Sequence, residues 1–369
     1  MELVALDLLG ETALELNPRA LRGDPDRRRA RVACRAGVVE AELRSFLGDD
    51  LRLASSAGAG LLAEFSLARP AGANPPSSAR ARVLLAAALA RATAPRPPRL
   101  LAVLNVTPDS FSDGGRWNDP ARAVERGLEL VTQGAHALDI GGESSRPGSL
   151  PVDLEEERRR VLPVIRELAL QTKVPISVDT TKARLAAEAI DLGATMVNDI
   201  SAGRFDPEMI PLVARRGCSL ALMHMQGTPA DMQDAPRYAD VVDEVLAFLR
   251  ERASAAWRAG IPLERLWVDP GIGFGKTLEH NLQLLARLGE LRSLGIPLLV
   301  GPSRKSFIAT IHAREGSAEQ AGEPSAKERI GGTAAAICAC VHGGAVLLRV
   351  HDVPVMAEAM RVARAIAAQ

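Results

Sequence analysis

Polar or charged residues follow a series of short apolar segments between residues 100 and 353. In chain order they are Asn105, Glu143, Asp179, Asn198 with Asp199, His224, Asp269, Ser303 with Lys305, and Arg349 with His351. Any one of them could serve a turn or a helix cap, because Asp and Asn suit both positions. A polar group after every segment instead indicates a pocket that hydrogen-bonds a polar molecule.

The chemistry of these residues divides the expected pocket into two ends. Asp179, Asn198 and Asp269 carry carboxylate and amide groups, which can pair with a flat heterocycle that presents adjacent N–H donors and acceptors. The cationic donors that could hold a phosphorylated leaving group are Arg146, Lys305, Arg349 and His351. Arginine can grip phosphate oxygens through two hydrogen bonds at once. We therefore expect a ring end and an anion end.

Two long loops in this region are polar and rich in glycine, and they span Thr107–Trp117 and Gly141–Ser149. Phe111 lies in the first and Arg146 in the second, each surrounded by residues that favour flexible backbone. This composition predicts lids that close over a substrate and exclude water.

Two other features of the sequence do not fit the chemistry that they first suggest. The run DPGIGFGKT has Pro270 where a nucleotide-binding phosphate loop needs glycine, and its glycine spacing is wrong for a dinucleotide fingerprint. The histidines lack the HExxH spacing of a zinc hydrolase. We expect the glycines after Asp269 to allow a tight loop beside a ligand.

Eight apolar segments could be the strands that position these residues, and each is followed by a pattern typical of a helix. The segments cover residues 100–106, 137–142, 176–180, 196–201, 220–225, 266–270, 298–303 and 346–353. Asp153 with Glu156, and Thr277, are typical helix starts, and Gly193 is a typical helix end. The alternation predicts an α/β fold, a (β/α)₈ TIM barrel with a smaller N-terminal extension or domain, with a doubly wound open sheet as the alternative.

The chain has 369 residues, more than the roughly 250 that a single barrel commonly takes. We expect a small N-terminal α/β or irregular domain of unknown role over residues 1–68. A linker with a helix over Ala79–Thr93 follows at 69–98, and the barrel fills 99–369.

Charge and hydropathy limit the partners and the location. Lysine plus arginine equal aspartate plus glutamate at 45 each, which argues against nucleic acid or an anionic membrane as a partner. No run of 18 apolar residues occurs, and the N-terminus is acidic where a secretory signal is basic. The sequence therefore predicts a cytoplasmic protein, and its four cysteines are expected to be free thiols.

The same motifs, taken together, resemble those of the dihydropteroate synthases. They are LNVTPDSFSDGG, DIGGESSRPGS, SVDTTK, VNDISAG, LMHMQGTP, DPGIGFGK, GPSRKSF and RVHDV. The resemblance implies condensation of 6-hydroxymethyl-7,8-dihydropterin pyrophosphate with 4-aminobenzoate, which gives 7,8-dihydropteroate and pyrophosphate. It also implies a homodimer, and it does not cover the N-terminal part of the chain.

The resemblance further assigns roles to residues. The pterin would be held by Asp179, Asn198, Met223, Asp269 and Lys305. A Mg²⁺ ion that accompanies the pyrophosphate would be bound by Asn105, and the phosphates by Asn105, Arg146, Arg349 and His351. The 4-aminobenzoate site would be formed by Phe111, Ser145, Pro147, Phe274 and Ser306, and Asp113 would help to order the closed first loop.

Two alternative functions stay open at this point. A methyltransferase that acts on a methylated pterin would need no pyrophosphate site, which the cationic residues argue against. A catalytically idle pterin-binding subunit is suggested only by the N-terminal extension.

Overall fold

The structure is a computed structural model, and it describes residues 12–13, 29–35, 52–55, 60–66, 96–107, 120–146, 148–315, 325 and 328–369. The chain divides into two compact units. One contains residues 1–96 together with 289–296, and the other contains 97–288 and 297–369.

The described N-terminal residues form a four-stranded antiparallel sheet. Its strands are β1 (Thr12–Ala13), β2 (Arg29–Arg35), β3 (Arg52–Ser55) and β4 (Gly60–Ser66), in the order β1-β2-β4-β3. The helix predicted over Ala79–Thr93 lies outside the described residues, as do most residues of the predicted linker.

The second unit contains eight parallel strands, one for each apolar segment of the sequence. They are β5 (Arg99–Asn105), β6 (Ala137–Gly141), β7 (Ile176–Asp179), β8 (Met196–Asp199), β9 (Ser219–Met223), β10 (Leu266–Asp269), β11 (Leu299–Val300) and β12 (Leu347–Val350). Their spatial order is β10-β9-β8-β7-β6-β5-β12-β11. A parallel bridge between Val268 of β10 and Leu298, next to β11, joins the two ends into a ring. The predicted (β/α)₈ barrel is confirmed, and the open-sheet alternative is wrong.

Helices separate all of these strands. They are α1 (Pro120–Thr132), α2 (Leu154–Gln171), α3 (Ala183–Asp191), α4 (Met209–Arg216), α5 (Val241–Arg258), α6 (Leu278–Ala286), α7 (Ser306–Glu315), α8 (Ile330–His342) and α9 (Val353–Ala367). Short 3₁₀ helices cover Leu263–Arg265 and Leu288–Leu294. Among the helices of the described residues, none combines the length and apolar character that a membrane span requires.

The helix starts that the sequence predicts are present. The Asp153 carboxylate accepts a hydrogen bond from the Glu156 backbone N–H, which satisfies one free amide of the first turn of α2. Glu156 itself binds Arg159 and Arg160, so this end is a single cap and not a reciprocal capping box. Thr277 forms a full capping box with His280 at the start of α6.

Apolar side chains fill the interior of the barrel below the strand ends. A cluster of Leu101, Met196, Ala221, Leu299 and Leu347, with Ala137 and Trp267 packed against it, draws one residue from each of seven strands. A barrel packed in this way has no open channel through its interior. A ligand must therefore bind at the carboxyl ends of the strands, where the βα loops begin.

Candidate active site

A cavity lies at the carboxyl ends of the strands and takes in about 330 Å³ of space, part of it open to solvent. Its lining combines four charged side chains with polar and apolar neighbours. The lining residues are Ser145, Asp179, Asn198, Ile200, Met223, Asp269, Gly271, Ile272, Phe274, Gly301, Lys305 and Arg349.

The register of the barrel brings the ring-end residues together at the ends of four neighbouring strands. Asp179 at the end of β7 is paired with Asn198 on β8, and Met223 at the end of β9 is paired with Asp269 on β10. Because neighbouring parallel strands end side by side, residues far apart in sequence meet at the mouth of the barrel. Asn198, Met223 and Asp269 are buried, with 3%, 4% and 5% of their surfaces exposed.

Arg349 is the centre of a buried ionic network in this cavity. Its Nε donates to Asp139 Oδ2 at 2.5 Å, and its second guanidinium nitrogen donates to Asp179 Oδ2 at 2.6 Å. Asn198 Nδ2 donates to the same Asp139 oxygen at 3.0 Å. Burial opposes the charged form of Arg349, but Asp139 and Asp179 outweigh it and raise its pKa. Arg349 therefore stays a cation and is held in one orientation.

Asp139 is a site residue that the sequence reasoning missed. It lies in the middle of β6, is fully buried, and connects Arg349 with Asn198 through one oxygen. Its other oxygen, Oδ1, has no hydrogen-bond partner among the described residues. A charged residue inside the apolar segment ALDIG was the available signal, because a buried charge is costly unless it is paired.

The two carboxylates of the ring end titrate at unusually high pH. Burial raises the pKa of Asp179 to about 7, against the opposing effect of Arg349, and Asp139 adds to the rise. Burial raises the pKa of Asp269 to about 6, although the Gly271 backbone N–H donates to Asp269 Oδ1 at 2.7 Å. Such shifts are frequent where side chains are arranged for binding or catalysis.

Lys305 faces an aromatic wall of the cavity. Its Nζ lies 3.8 Å from the centre of the Phe274 ring, a distance at which a cation is attracted to the ring face. Burial, followed by the charge of Arg349, lowers the pKa of Lys305 to about 7. Phe274 belongs to an apolar cluster with Met223, Met225 and Met232, so this side of the cavity is hydrophobic.

The glycine-rich segment 271–276 forms the tight loop beside the cavity that the sequence predicts. Gly271 has φ +67°, and a Cβ atom there would lie 1.9 Å from the His224 carbonyl oxygen, so no other residue fits. Side chains outside this segment bind its backbone: from a neighbouring loop, Tyr238 at Gly275 O and Gln233 at Gly273 O, and from α6, Asn281 at Gly273 N.

Lys276 fixes the same segment from inside the protein. Its Nζ lies 2.9 Å from Phe274 O, 3.0 Å from His224 Nδ1 and 3.4 Å from His224 O, and only 3% of the residue is exposed. Burial lowers the pKa of Lys276 to about 7 and that of His224 to about 2. His224 therefore stays neutral and accepts a hydrogen bond from the amine. The sequence analysis assigned no role to Lys276.

The loops that follow β11 and β12 are joined by two contacts. Ser303 Oγ lies 3.0 Å from His351 Nδ1 and accepts from the His351 backbone N–H at 3.2 Å. The Arg304 guanidinium binds the Asp352 carboxylate through two hydrogen bonds, one of them at 2.9 Å. Burial and the charge of Arg349 lower the pKa of His351 to about 3, so this ring is neutral and not the cation that the sequence suggested.

The base of the second predicted lid loop is tied down by a partly buried ion cluster. Lys182 Nζ lies 2.5 Å from Glu143 Oε2 and 2.5 Å from Glu157 Oε2. Arg160 donates to the carbonyl oxygen of Gly142 at 2.7 Å. Ser145, a few residues further along, reaches the cavity from this fixed base.

The structure brings most, but not all, of the predicted site residues together. Those that line the cavity are Ser145, Asp179, Asn198, Met223, Asp269, Phe274, Lys305 and Arg349. Those described but outside the lining are Asn105 and His351, which are half-buried, and Arg146 and Ser306, which are exposed. Phe111, Asp113 and Pro147 lie outside the described residues, so their roles stay predictions.

No group of three or more His, Cys, Asp or Glu side chains within the described part of the chain could hold a metal ion. The cavity is instead suited to a polar ring and an anion. Carboxylate and amide acceptors lie on one side, and a fixed arginine and a lysine lie next to them.

Comparisons with known proteins agree with this geometry. The family profile of pterin-binding enzymes matches residues 101–351. A dihydropteroate synthase of Synechocystis sp. is 45% identical over 267 residues, which cover 72% of this chain and 89% of that protein.

Solved structures give the same result. A dihydropteroate synthase of Xanthomonas albilineans with 4-aminobenzoic acid is 46% identical, with a TM-score of 0.67 over 74% of this chain and 94% of that chain. A structure of the Xanthomonas albilineans enzyme in complex with 7,8-dihydropteroate is 44% identical, with a TM-score of 0.65 over 74% and 95% of the two chains. The chain therefore belongs to the pterin-binding enzymes and, within them, to the dihydropteroate synthase family.

Proposed function

We propose that this chain is a dihydropteroate synthase, a transferase of folate biosynthesis. It condenses 6-hydroxymethyl-7,8-dihydropterin pyrophosphate with 4-aminobenzoate and releases 7,8-dihydropteroate and pyrophosphate. The observation that carries the proposal is one cavity, in a chain of this family, where Asp179 and Asp269 meet Lys305 and Arg349. The two solved relatives with 4-aminobenzoic acid and with 7,8-dihydropteroate support the same substrates.

The ring end suits the amino and amide edge of a pterin. Arg349 occupies one oxygen of Asp179, and Gly271 N–H occupies one oxygen of Asp269, which leaves the second oxygen of each for a ring N–H. Asn198 donates its Nδ2 to Asp139, so its Oδ1 can accept from the ring. Met223 supplies an apolar surface for a ring face. These groups are fixed before the substrate arrives, so little ordering is needed on binding.

The anion end lies toward Arg349 in this proposal. During the reaction the C–O bond between the pterin methylene carbon and the diphosphate breaks, and its electron pair leaves with the diphosphate. The amine of 4-aminobenzoate forms the new C–N bond and releases a proton. A fixed cation beside the departing charge stabilises it without reorganisation, which is usually the largest catalytic contribution. Asp179 and Asp269 stabilise positive charge that develops on the ring.

A Mg²⁺ ion fits this site only as a companion of the diphosphate. The described residues provide no cluster of acidic, histidine or cysteine ligands for a resident metal. Mg²⁺ is often held by one or two protein oxygens together with substrate phosphates and water. Asn105, half-buried at the end of β5 and paired in register with Gly141, offers one such amide oxygen. When bound, the ion would neutralise charge on the leaving diphosphate.

The 4-aminobenzoate is assigned to the side of the cavity formed by Phe274 and Ser145. The Phe274 ring offers an apolar face, and Lys305 over that face offers a cation for a carboxylate or for the ring system. Phe111, Pro147 and Ser306 complete this site in the assignment that the family resemblance implies.

We also propose a cellular location and an oligomeric state for this enzyme. We assign the enzyme to the cytoplasm and to a homodimer formed through barrel helices. Exposed apolar residues on α9 support the dimer: Val355 is 43% exposed, Val362 53% and Ile366 59%. Light scattering of the purified protein tests it, and a monomer at micromolar concentration would reject it.

An assay of pyrophosphate release tests the function directly. We expect release only when the pterin substrate and 4-aminobenzoate are both present, with 7,8-dihydropteroate formed in equal amount. A pterin methyltransferase would release no pyrophosphate, and an idle binding subunit would bind the pterin without turnover.

A further inference from the structure

Arg304, immediately before Lys305, has a backbone conformation that side chains of its kind rarely adopt. Its φ is +59°, in the left-handed region that favours glycine. Residues kept in such conformations persist only when their surroundings hold them there, and they concentrate at functional sites.

Contacts from three directions hold Arg304 in place. Its backbone N–H donates to Thr333 Oγ1 of α8 at 3.1 Å, and its carbonyl oxygen accepts from Arg329 at 3.2 Å. Its guanidinium binds Asp352 through two hydrogen bonds, and the two side chains are 25% and 17% exposed. A bidentate pair that is largely shielded from water is stronger and more directional than a surface ion pair.

Helix capping does not explain Asp352. It stands at the N-cap of α9, where an aspartate normally accepts a hydrogen bond from the first turn, but its side chain makes no such bond. The carboxylate is directed to Arg304 instead. The pair therefore joins the loop after β11, which supplies Lys305, to the loop after β12, which follows Arg349.

We propose that the Arg304–Asp352 pair is a positioning pair that sets Lys305 over Phe274 in the cavity. Neither residue lines the cavity, so the pair acts through Lys305 and not by touching substrate. The inference rests on the proposed function, because it assumes that Lys305 binds the substrate there. It predicts that loss of either partner weakens substrate binding through one shared cause.

A double-mutant cycle on the full-length chain tests the pair. Arg304→Met and Asp352→Asn are each expected to lower pterin affinity in calorimetry, and kcat/KM in the assay, by about tenfold, and the double variant by the same about tenfold. Independent effects would multiply to about a hundredfold, and that result would overturn the proposal.

Two further variants separate positioning from general stability. In a Lys305→Met background, adding Arg304→Met should cause no further loss of pterin affinity, whereas a merely structural role would still lower it. Arg304→Gly accepts the φ of +59° freely but cannot bind Asp352, so it should lose as much affinity as Arg304→Met. Full affinity in Arg304→Gly would also contradict the proposal.

The exposed pair Arg314 and Glu279 is a matched control, because it joins α7 to α6 away from the cavity. Arg314→Met and Glu279→Gln should leave pterin affinity unchanged. Wild-type affinity, measured in the same titrations, tests the proposed function itself. A wild type that binds pterin, with additive variants, would reject the pair alone, and a wild type that binds none would reject both.

Discussion

At the ring end of the cavity, a few side chains share one largely buried cation, Arg349. Arg349 is held by Asp139 and Asp179 together, and Asp139 also accepts from Asn198, so these four side chains act as a unit. Removing any one of them leaves a buried charge or amide without its partner, which costs more than the bond itself was worth.

Asp179→Asn tests the ring assignment within this unit. The substitution keeps the shape but replaces a charged acceptor by a neutral amide, so we expect kcat/KM to fall on the order of a hundredfold, equivalent to about 3 kcal/mol for a charged hydrogen bond. The melting temperature should change little, because the asparagine Oδ1 can still accept the hydrogen bond from Arg349 and the neutral amide removes the cost of burying a carboxylate. Asp234→Asn, on an exposed loop, is the control, and a fully active Asp179→Asn variant would reject the ring assignment.

The raised pKa values predict how pterin binding depends on pH. Only the ionised carboxylate can accept N–H bonds on both oxygens, and the pKa of Asp269 is raised to about 6 and that of Asp179 to about 7. Pterin affinity should therefore fall as the pH drops through 7 and 6. Asp179 and Asp269 do not themselves promote unfolding in this range, because carboxyls with raised pKa values favour the folded state at low pH and lose that contribution as the pH rises through the folded pKa.

A variant separates Asp269 from Asp179 and Lys305, whose pKa values of about 7 place their titrations close to its own. In Asp269→Asn the fall in affinity near pH 6 should disappear while the one near pH 7 remains. Calorimetry between pH 5 and pH 8, a range that extends about one pH unit beyond the pKa values on either side, measures both falls in pterin affinity. An unchanged pH profile in the variant would mean that Asp269 does not accept from the ring.

At the scale of elements, the backbone of the loop after β10 is held in place by several contacts. Gly271 lies against the His224 carbonyl, and Lys276 binds Phe274 and His224 from inside. The loop thus carries Phe274 to the cavity on a backbone that neighbouring side chains fix at several points.

Gly271→Ala tests this fixed backbone. The added Cβ would lie 1.9 Å from a backbone oxygen at a φ of +67°, so we expect the free energy of unfolding to fall by at least about 2 kcal/mol, together with loss of pterin binding. Gly331→Ala in α8 is the matched control, since a Cβ there meets nothing within 4 Å and alanine favours a helix. Urea unfolding compares the two, and equal stabilities would show that the loop can relax.

Much of the secondary structure could be predicted from the sequence, because the signals for strands, helices and helix caps are local. Alternating strand and helix patterns located all eight barrel strands, and the caps at Asp153 and Thr277 were readable because each residue immediately precedes a segment of helical periodicity. The Glu156 side chain departed from the capping box because two arginines on its own helix compete for it.

At the scale of the whole molecule, the site depends on pairings that no local pattern specifies. Asp139 and Arg349 are 210 positions apart, and only the order of the strands, which places β6 and β12 on either side of β5, shows that they can share a bond. The left-handed conformation of Arg304 and the inward direction of Lys276 are likewise set by tertiary contacts. Charge type predicted two ends of a pocket, but it could not show that His351 is neutral, since that follows from its burial.

The described site residues all come from one unit of the chain, between residues 105 and 351, and the family match covers nearly the same span. The proposed function requires that one cavity of the barrel, lined by Asp179, Asn198, Asp269 and Arg349, hold a heterocycle against the first three side chains and a diphosphate toward Arg349. A crystal structure of this protein soaked with a pterin and pyrophosphate measures it directly. We predict the ring edge within hydrogen-bonding distance of those three side chains and the pyrophosphate on the side of Arg349. A pterin bound at any other surface, with this cavity filled only by water, would contradict the account.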